Sequence, residues 1–492
     1  MLLPLGAQGF AQSEEDPRAW LRALDSLSSE RMLADVTTLS SPAFNGRQTG
    51  TADDVSSAKW IGDRFLAAGL SLTSTRSPMG SDPEQAPAFM TTVVTVPNIA
   101  PDPLLRISTA SDFLTKQLGT DYLPILDSPS AEVRGPIVFV GYGIVDSTQG
   151  IDDYAGMDTT NTIVLFLRGT PTYYKGTVSH ADKARLARRK GALGYLTATG
   201  PVLSSYEARR GVTGEPAAFY GLSPHTKTLP GAWISTTLAE QILAAPDHAQ
   251  PSRLHVLQEK LNRSPATQSV NTGRYGSLEW QTRSEEGLLV NVLASLPGSD
   301  PQKTQEILVI GAHRDHFGRQ AGLLFPGADD NASGTAVMLE VARAMAKASK
   351  RTKRTVLFVS FSGEEQGFVG SRLYLERLVA PIGSIKAMIN IDHAGIGNGR
   401  LTIGVTGFEK SVALEAGQTV GLAEKIDLFG FFPGGDHVPF KEAGVPTVTI
   451  VSGGIHPYFH QPSDRADTVS PALLLTAARY MLALAWQLAN AP

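Results

Sequence analysis

From Leu288 onward the chain repeats one pattern: an apolar run, a loop that breaks it, then a helical segment. The runs are "LLVNVLASL", "EILVIGAH", "TVLFVSFS", "IKAMINID" and "PTVTIVSGG". A strand that is apolar along its whole length is buried on both faces, and helices between such strands supply the cover. The fold class expected is therefore α/β: a mostly parallel or mixed sheet sandwiched by helices. In a sheet of this kind ligands collect beyond the carboxyl ends of the strands, where the loops converge. The side chains just past each strand therefore matter most. The ends carry His313, the adjacent pair Glu364 and Glu365, Asp392 and, a few residues past the last strand, His460. Asp329 joins them from "PGADDNASG", the loop that leads into the helical run "GTAVMLEVARAMAK".

Singly, each of these residues has an ordinary structural role, such as capping a helix or ending a strand. Together they are harder to explain that way. Carboxylates crowded into one buried edge repel one another unless a cation neutralises them, and imidazoles beside them complete a donor set for a transition metal. The chain has no Cys, so any such metal sits on His, Asp or Glu. The 47 acidic and 43 basic residues nearly balance, which gives no field to gather nucleic acid or anionic lipid. Partners are expected to be small or neutral.

The remainder divides by texture. Residues 13–130 are expected to form the first part of the main domain, with a helix in "ADDVSSAKWIGDRFLAAGL" that stops at Gly69. Residues 131–280 alternate β-rich runs with Gly, Pro and Asp loops and are expected to be an inserted, β-dominated module; residues 281–492 complete the main domain. The opening "MLLPLGAQGFAQSEEDP" resembles the end of a secretory leader without its basic region, so residues 1–12 are expected as a leader remnant and the protein as secreted or periplasmic. No segment reaches the roughly 18 uninterrupted apolar residues of a spanning helix. The closing "ALLLTAARYMLALAWQLA", interrupted by Arg479, is expected to pack on the core.

The motifs "GAHRDHFG", "PGADDNASG", "FSGEEQGFVGS", "MINID" and "FHQPSD", with "LSSPAFNGRQTGTADD" ahead of them, resemble in order and spacing those of the M28 family of co-catalytic zinc peptidases. The module containing "VFVGYGIVD" and "KARLARRKGALGYL" resembles a protease-associated domain. The resemblance implies two zinc ions bridged by Asp329, with His313 and Asp392 on one and Glu365 and His460 on the other. It implies Glu364 as the general base that moves the proton of a metal-activated water, Asp315 as the support of His313, and a cis peptide after Asp329. It also implies peptide substrates and an exopeptidase, an aminopeptidase ahead of a carboxypeptidase, although Arg314 is a candidate contact for a substrate carboxylate. The single-zinc glutaminyl cyclases and receptor-like relatives without activity are the alternatives. Two departures stand out: Phe459 where many relatives have Tyr before the last His, with Tyr458 a possible substitute, and His393 where they have Met after the strand-end Asp. His316 is expected at the rim, Asp464 as a support of its turn, and Asp436 and His437 as candidate walls of the pocket.

Overall fold

The computed structural model describes residues 17–73, 89–109, 112–203, 212–221, 229–244, 252–378 and 381–492. The proposed leader, residues 1–12, lies outside them. Nine strands form the larger sheet. At its centre Ile307–His313 runs parallel to both Thr355–Phe361 and Ile385–Asp392, and Ile385–Asp392 runs parallel to Thr447–Ser452. Each of the four is buried over nearly its whole length, which is why it reads as an unbroken apolar run. Antiparallel strands flank this core: Thr282–Leu296 pairs with Thr355–Phe361 on one side, and Leu401–Thr406 with Thr447–Ser452 on the other. The sheet is thus mixed, in line with the expected α/β class.

Helices cover both faces. Ser29–Leu39, Gly334–Ala346 and Pro471–Asn490 pack in the largest hydrophobic core, around Val337, Val341, Ile310, Phe358 and Met481. The last helix is long and apolar enough to cross a membrane, but Leu474, Tyr480, Met481, Leu482 and Leu484 are fully buried against the rest of the protein. The helix Ala52–Ala67 is capped by the Thr51 hydroxyl and turns out at Gly69, whose φ of 89° suits glycine. Its Ile61 and Phe65 are buried, while Leu66 is 52% exposed.

The second unit is larger and less purely β than expected. Its eight-stranded sheet begins at Leu104–Ser108 and ends at Val270–Trp280, so the boundary at residue 131 falls inside it. The strands Ala131–Phe139, Ile163–Leu167, Gly194–Ala198 and Gly231–Ile234 are successively parallel, and the helix His180–Arg189 connects the second to the third. Among the described residues strands still outnumber helices, so the unit is β-rich with helices packed on its sheet. Both connections to the main domain leave from one place, because Phe89–Ile99 and Thr282–Leu296 are paired with Ile99 opposite Thr282. Leaving and returning at adjacent residues lets a whole unit be inserted with little disturbance of the host sheet.

Candidate metal centre

The carboxyl ends of the four parallel strands meet at one edge of the larger sheet. His313 ends its strand and is 1% exposed. Its Nε2 lies 3.3 Å from Asp392 Oδ1 and 3.4 Å from Asp330 Oδ1. On the other side of the ring, Nδ1 is 3.2 Å from the Asp315 carbonyl and 3.7 Å from its carboxylate. A hydrogen on Nδ1 therefore has acceptors, which leaves Nε2 to present a lone pair to the carboxylates. Asp315 in turn accepts from Thr49 Oγ1 at 2.9 Å and from the backbone N–H groups of Glu364 and Glu365 at 3.3 and 3.4 Å. Burial raises its pKa, but the bonds from His313 and Thr49 prevail and hold it below the usual carboxylate range. One carboxylate thus orients the histidine and the glutamate pair together.

Asp330, not Asp329, stands at the middle of the cluster. Its Oδ1 faces His313, and its Oδ2 lies 3.0 Å from His460 Nε2. His460 Nε2 is also 3.5 Å from Glu365 Oε2. Asp329 points the other way and its oxygens are occupied. Oδ1 accepts from the N–H groups of Gly395 and Ile396 at 2.8 and 3.0 Å, and Oδ2 lies 2.5 Å from His456 Nδ1 and 3.3 Å from His393 Nδ1. The expected bridging role of Asp329 is corrected for that reason: its lone pairs are spent on donors away from the cluster. The cis peptide likewise falls between Asp330 and Asn331, one residue later than expected.

The separations test the fit to a metal. Zinc bonds of about 2.0–2.1 Å in a tetrahedron place neighbouring ligand atoms about 3.3 Å apart. His313 Nε2 is spaced in that way from Asp330 and Asp392, and His460 Nε2 similarly from Asp330 and Glu365. His316, Asp330 and Glu365 also bring ligand atoms together. Asp329, His393 and His456 form a further group, but the 2.5 Å separation within it is that of a hydrogen-bonded pair and too short for two ligands of one ion. The donor set is imidazole and carboxylate, which suits a divalent transition metal. Burial pushes the Glu364 and Glu365 carboxyls well above their usual range, with nearby carboxylates adding to it and His313 offsetting part. A cation between them relieves that cost.

The surroundings sort the other candidates. His316 is 1% exposed rather than at the rim, with Nδ1 2.9 Å from Glu365 Oε1. Asp464 accepts from the N–H groups of Asp329 and Asp330 at 2.8 and 3.0 Å, so it shapes the loop that carries Asp330 as well as its own turn. Arg314 is fully buried. It bonds to Asp54 at 2.5 Å, Ser57 at 3.1 Å and the carbonyls of Val290, Ser360 and Phe361, so it faces the interior and the expectation of a substrate contact is corrected. Asp436 and His437 are buried and do not line the cavity, against their expected place on its wall. Arg47, in the lead-in motif, holds the carbonyls of Leu39, Pro326, Gly327 and Arg314 and so pins the start of the Asp330 loop. Nothing in its spacing marked it for that task.

Above the cluster lies a cavity of about 930 Å³. Glu364, Glu365, Asp330, Asp392, His393 and His460 open into it, and its walls include Phe219 of the inserted unit with Leu428, Phe429, Phe432, Val451, Ile455 and Phe459. Residues 291–485 match the family described as Peptidase family M28. This part of the chain is an M28 peptidase domain. A probable leucine aminopeptidase of Arthroderma otae is 30% identical over 208 residues, covering 39% of this chain and 56% of that protein. The aminopeptidase YwaD of Bacillus subtilis is 30% identical over 198 residues, 38% of this chain and 42% of its own length. The chain thus spans about half the length of the curated relatives it matches. The M28 domain together with the inserted unit is similar in fold to an aminopeptidase from an Aneurinibacillus strain, with a TM-score of 0.66, 21% identity and 96% of this chain and 97% of that chain covered. A peptidase M28 precursor from Shewanella amazonensis gives a TM-score of 0.65 at 20% identity, with 96% of each chain covered.

Proposed function

We propose that the protein is a di-zinc aminopeptidase in which Asp330 bridges the ions, His313 and Asp392 hold one, Glu365 and His460 hold the other, and Glu364 is the general base. The observation that carries this reading is the opposed arrangement of Asp330, one carboxylate oxygen toward His313 and the other toward His460, directly beneath an open cavity. When bound, a zinc pair supplies Lewis acidity toward the scissile carbonyl and toward water. The protein's own residues do the rest. Asp315 fixes the His313 ring through Nδ1 and holds the Glu364 backbone in place. Glu364, on the cavity wall with its proton affinity raised by burial, accepts a proton from the attacking water and returns it to the leaving amine.

The cavity favours a free amino terminus. Asp330, Glu364, Glu365, Asp392 and Asp427 are its charged lining residues apart from histidines, and neither Lys nor Arg is among those described. With ions in place most of these carboxylates are neutralised, and a lining without Lys or Arg offers a substrate carboxylate no cationic side chain to pair with, which favours the aminopeptidase over the carboxypeptidase. The aromatic and aliphatic wall suits an apolar first side chain, in keeping with the leucine aminopeptidase names of the relatives. The inserted unit, read as a protease-associated domain, contributes Phe219 to that wall.

The test is elemental analysis alongside hydrolysis of leucyl amide and its N-acetylated form. Two zinc ions per chain and cleavage of the free amine alone are expected. Equal cleavage of both substrates rules out the exopeptidase reading.

A further inference from the structure

The two histidines at the ends of the cluster are held by different domains. His313 is oriented from within the M28 domain, by Asp315. His460 is oriented from the inserted unit: its Nδ1 lies 2.8 Å from the Ala218 carbonyl, and the Ala218 N–H donates back to the His460 carbonyl at 2.9 Å. A carbonyl only accepts, so Nδ1 carries the hydrogen and Nε2 is left as a lone pair facing Asp330 and Glu365.

Ala218 is itself firmly seated. It is fully buried in a small core made by both domains, with Leu123, Leu126 and Tyr220 from the inserted unit and Phe317 and Phe325 from the M28 domain. The Tyr220 hydroxyl accepts from Gln48 Nε2 at 3.2 Å, and the Tyr220 ring lies 5.6 Å from that of Phe317, which packs edge-on to His460 at 4.7 Å. Phe219, between Ala218 and Tyr220, lines the cavity.

Resting on the two-ion reading above, we propose that the strap 217–220 is the positioning element of the His460 and Glu365 ion, so that this site is assembled by docking of the inserted unit, whereas the His313 and Asp392 site is assembled without it. Docking and occupancy of the second site are then reciprocally coupled, since whatever fixes His460 also fixes its partner at Ala218. Substrate packed on Phe219 presses on the same strap.

Amide hydrogen exchange of the unaltered protein, with and without two equivalents of zinc, tests the coupling without a substitution. Zinc is expected to slow exchange of residues 217–220 by about tenfold or more, while the strand Ile163–Leu167, deep in the inserted unit, is unchanged. In parallel, Tyr220→Ala is expected to weaken one of the two zinc ions by about 10–100-fold in chelator competition, the size usual for loss of a ligand's supporting partner, and to leave the other within about threefold. Exchange at 217–220 that is unaffected by two bound ions, or equal weakening of both ions, overturns the proposal. Where Tyr220→Ala fails to fold, the exchange measurement decides alone. Binding of a single ion at saturation is a distinct result: it removes the two-ion reading, and this proposal with it.

Discussion

The two sheets of this protein share a pattern and differ in what they do with it. Each has a run of parallel strands, yet among the described residues only the M28 sheet gathers candidate metal ligands at its strand ends. In the M28 domain the strand ends deliver His313, the Glu364 and Glu365 pair and Asp392 to one edge. In the inserted unit the corresponding ends run into Gly141, Gly169 and Gly200, at φ values of 54°, 68° and 81°. There Lys183 Nζ donates to the carbonyls of Leu167 and Gly169, and the Arg168 guanidinium lies 3.5 Å over the Trp233 ring. A buried cation satisfies one set of strand ends, and the other gathers carboxylates that call for a cation from outside. Parallel topology offers a convergent edge; the residues at that edge decide whether it becomes a site.

Six substitutions bear on this contrast. The largest effect is expected at Asp330: Asp330→Asn should lower zinc content and kcat/KM by more than the roughly 10–100-fold typical of a supporting residue, while Asp329→Asn stays within that range. Elemental analysis with initial rates distinguishes them, and the reverse order would return the bridge to Asp329. Next, Glu364→Gln should reduce kcat by about 10²–10⁴-fold with both ions retained; rates with zinc content provide the check. Near-normal turnover would remove its role as base.

Stability separates the domains. Arg314→Met leaves the Asp54 carboxylate buried without its cation, and a loss of about 3–5 kcal/mol is expected in urea unfolding. Lys183→Met leaves two strand-end carbonyls short of a donor in the inserted unit, for a loss of about 1–3 kcal/mol without change in zinc content. Loss of zinc from Lys183→Met would contradict a purely structural role for that end of the second sheet.

The smallest effect is a dependence on pH. Burial raises the Asp153 pKa from 3.8 to about 6, against the offsetting N–H bond from Ile144. The folded chain then holds the proton more tightly than the unfolded chain. Its contribution to stability is full below about pH 4 and is lost as pH rises through about 6. Asp153→Asn should flatten that part of the stability profile in urea melts recorded at several pH values.

Much of the architecture was legible because burial on both faces leaves a mark that composition alone carries. The strands ending at His313 and Asp392 read as unbroken apolar runs, and the loops after them as breaks. The strand Leu401–Thr406 was not legible in the same way, nor was the short Ile426–Phe429, which is only partly buried. The start of the inserted unit at Leu104 was hidden because its first strands, Leu104–Ser108 and Phe113–Thr115, are short and half-exposed.

Within the site, residue types and their order along the chain were settled by sequence: two histidines, a glutamate pair and strand-end carboxylates, spaced so that one sheet edge collects them. Tertiary structure alone chose between Asp329 and Asp330. Adjacent in the chain and identical in chemistry, they part because the amides of Gly395 and Ile396 and the ring of His456 claim one, while His313 and His460 converge on the other. The partner of His460 at Ala218 was likewise beyond local pattern. A backbone carbonyl has no residue type to reveal it, and the two positions meet only because separate domains pack together across 242 residues of chain.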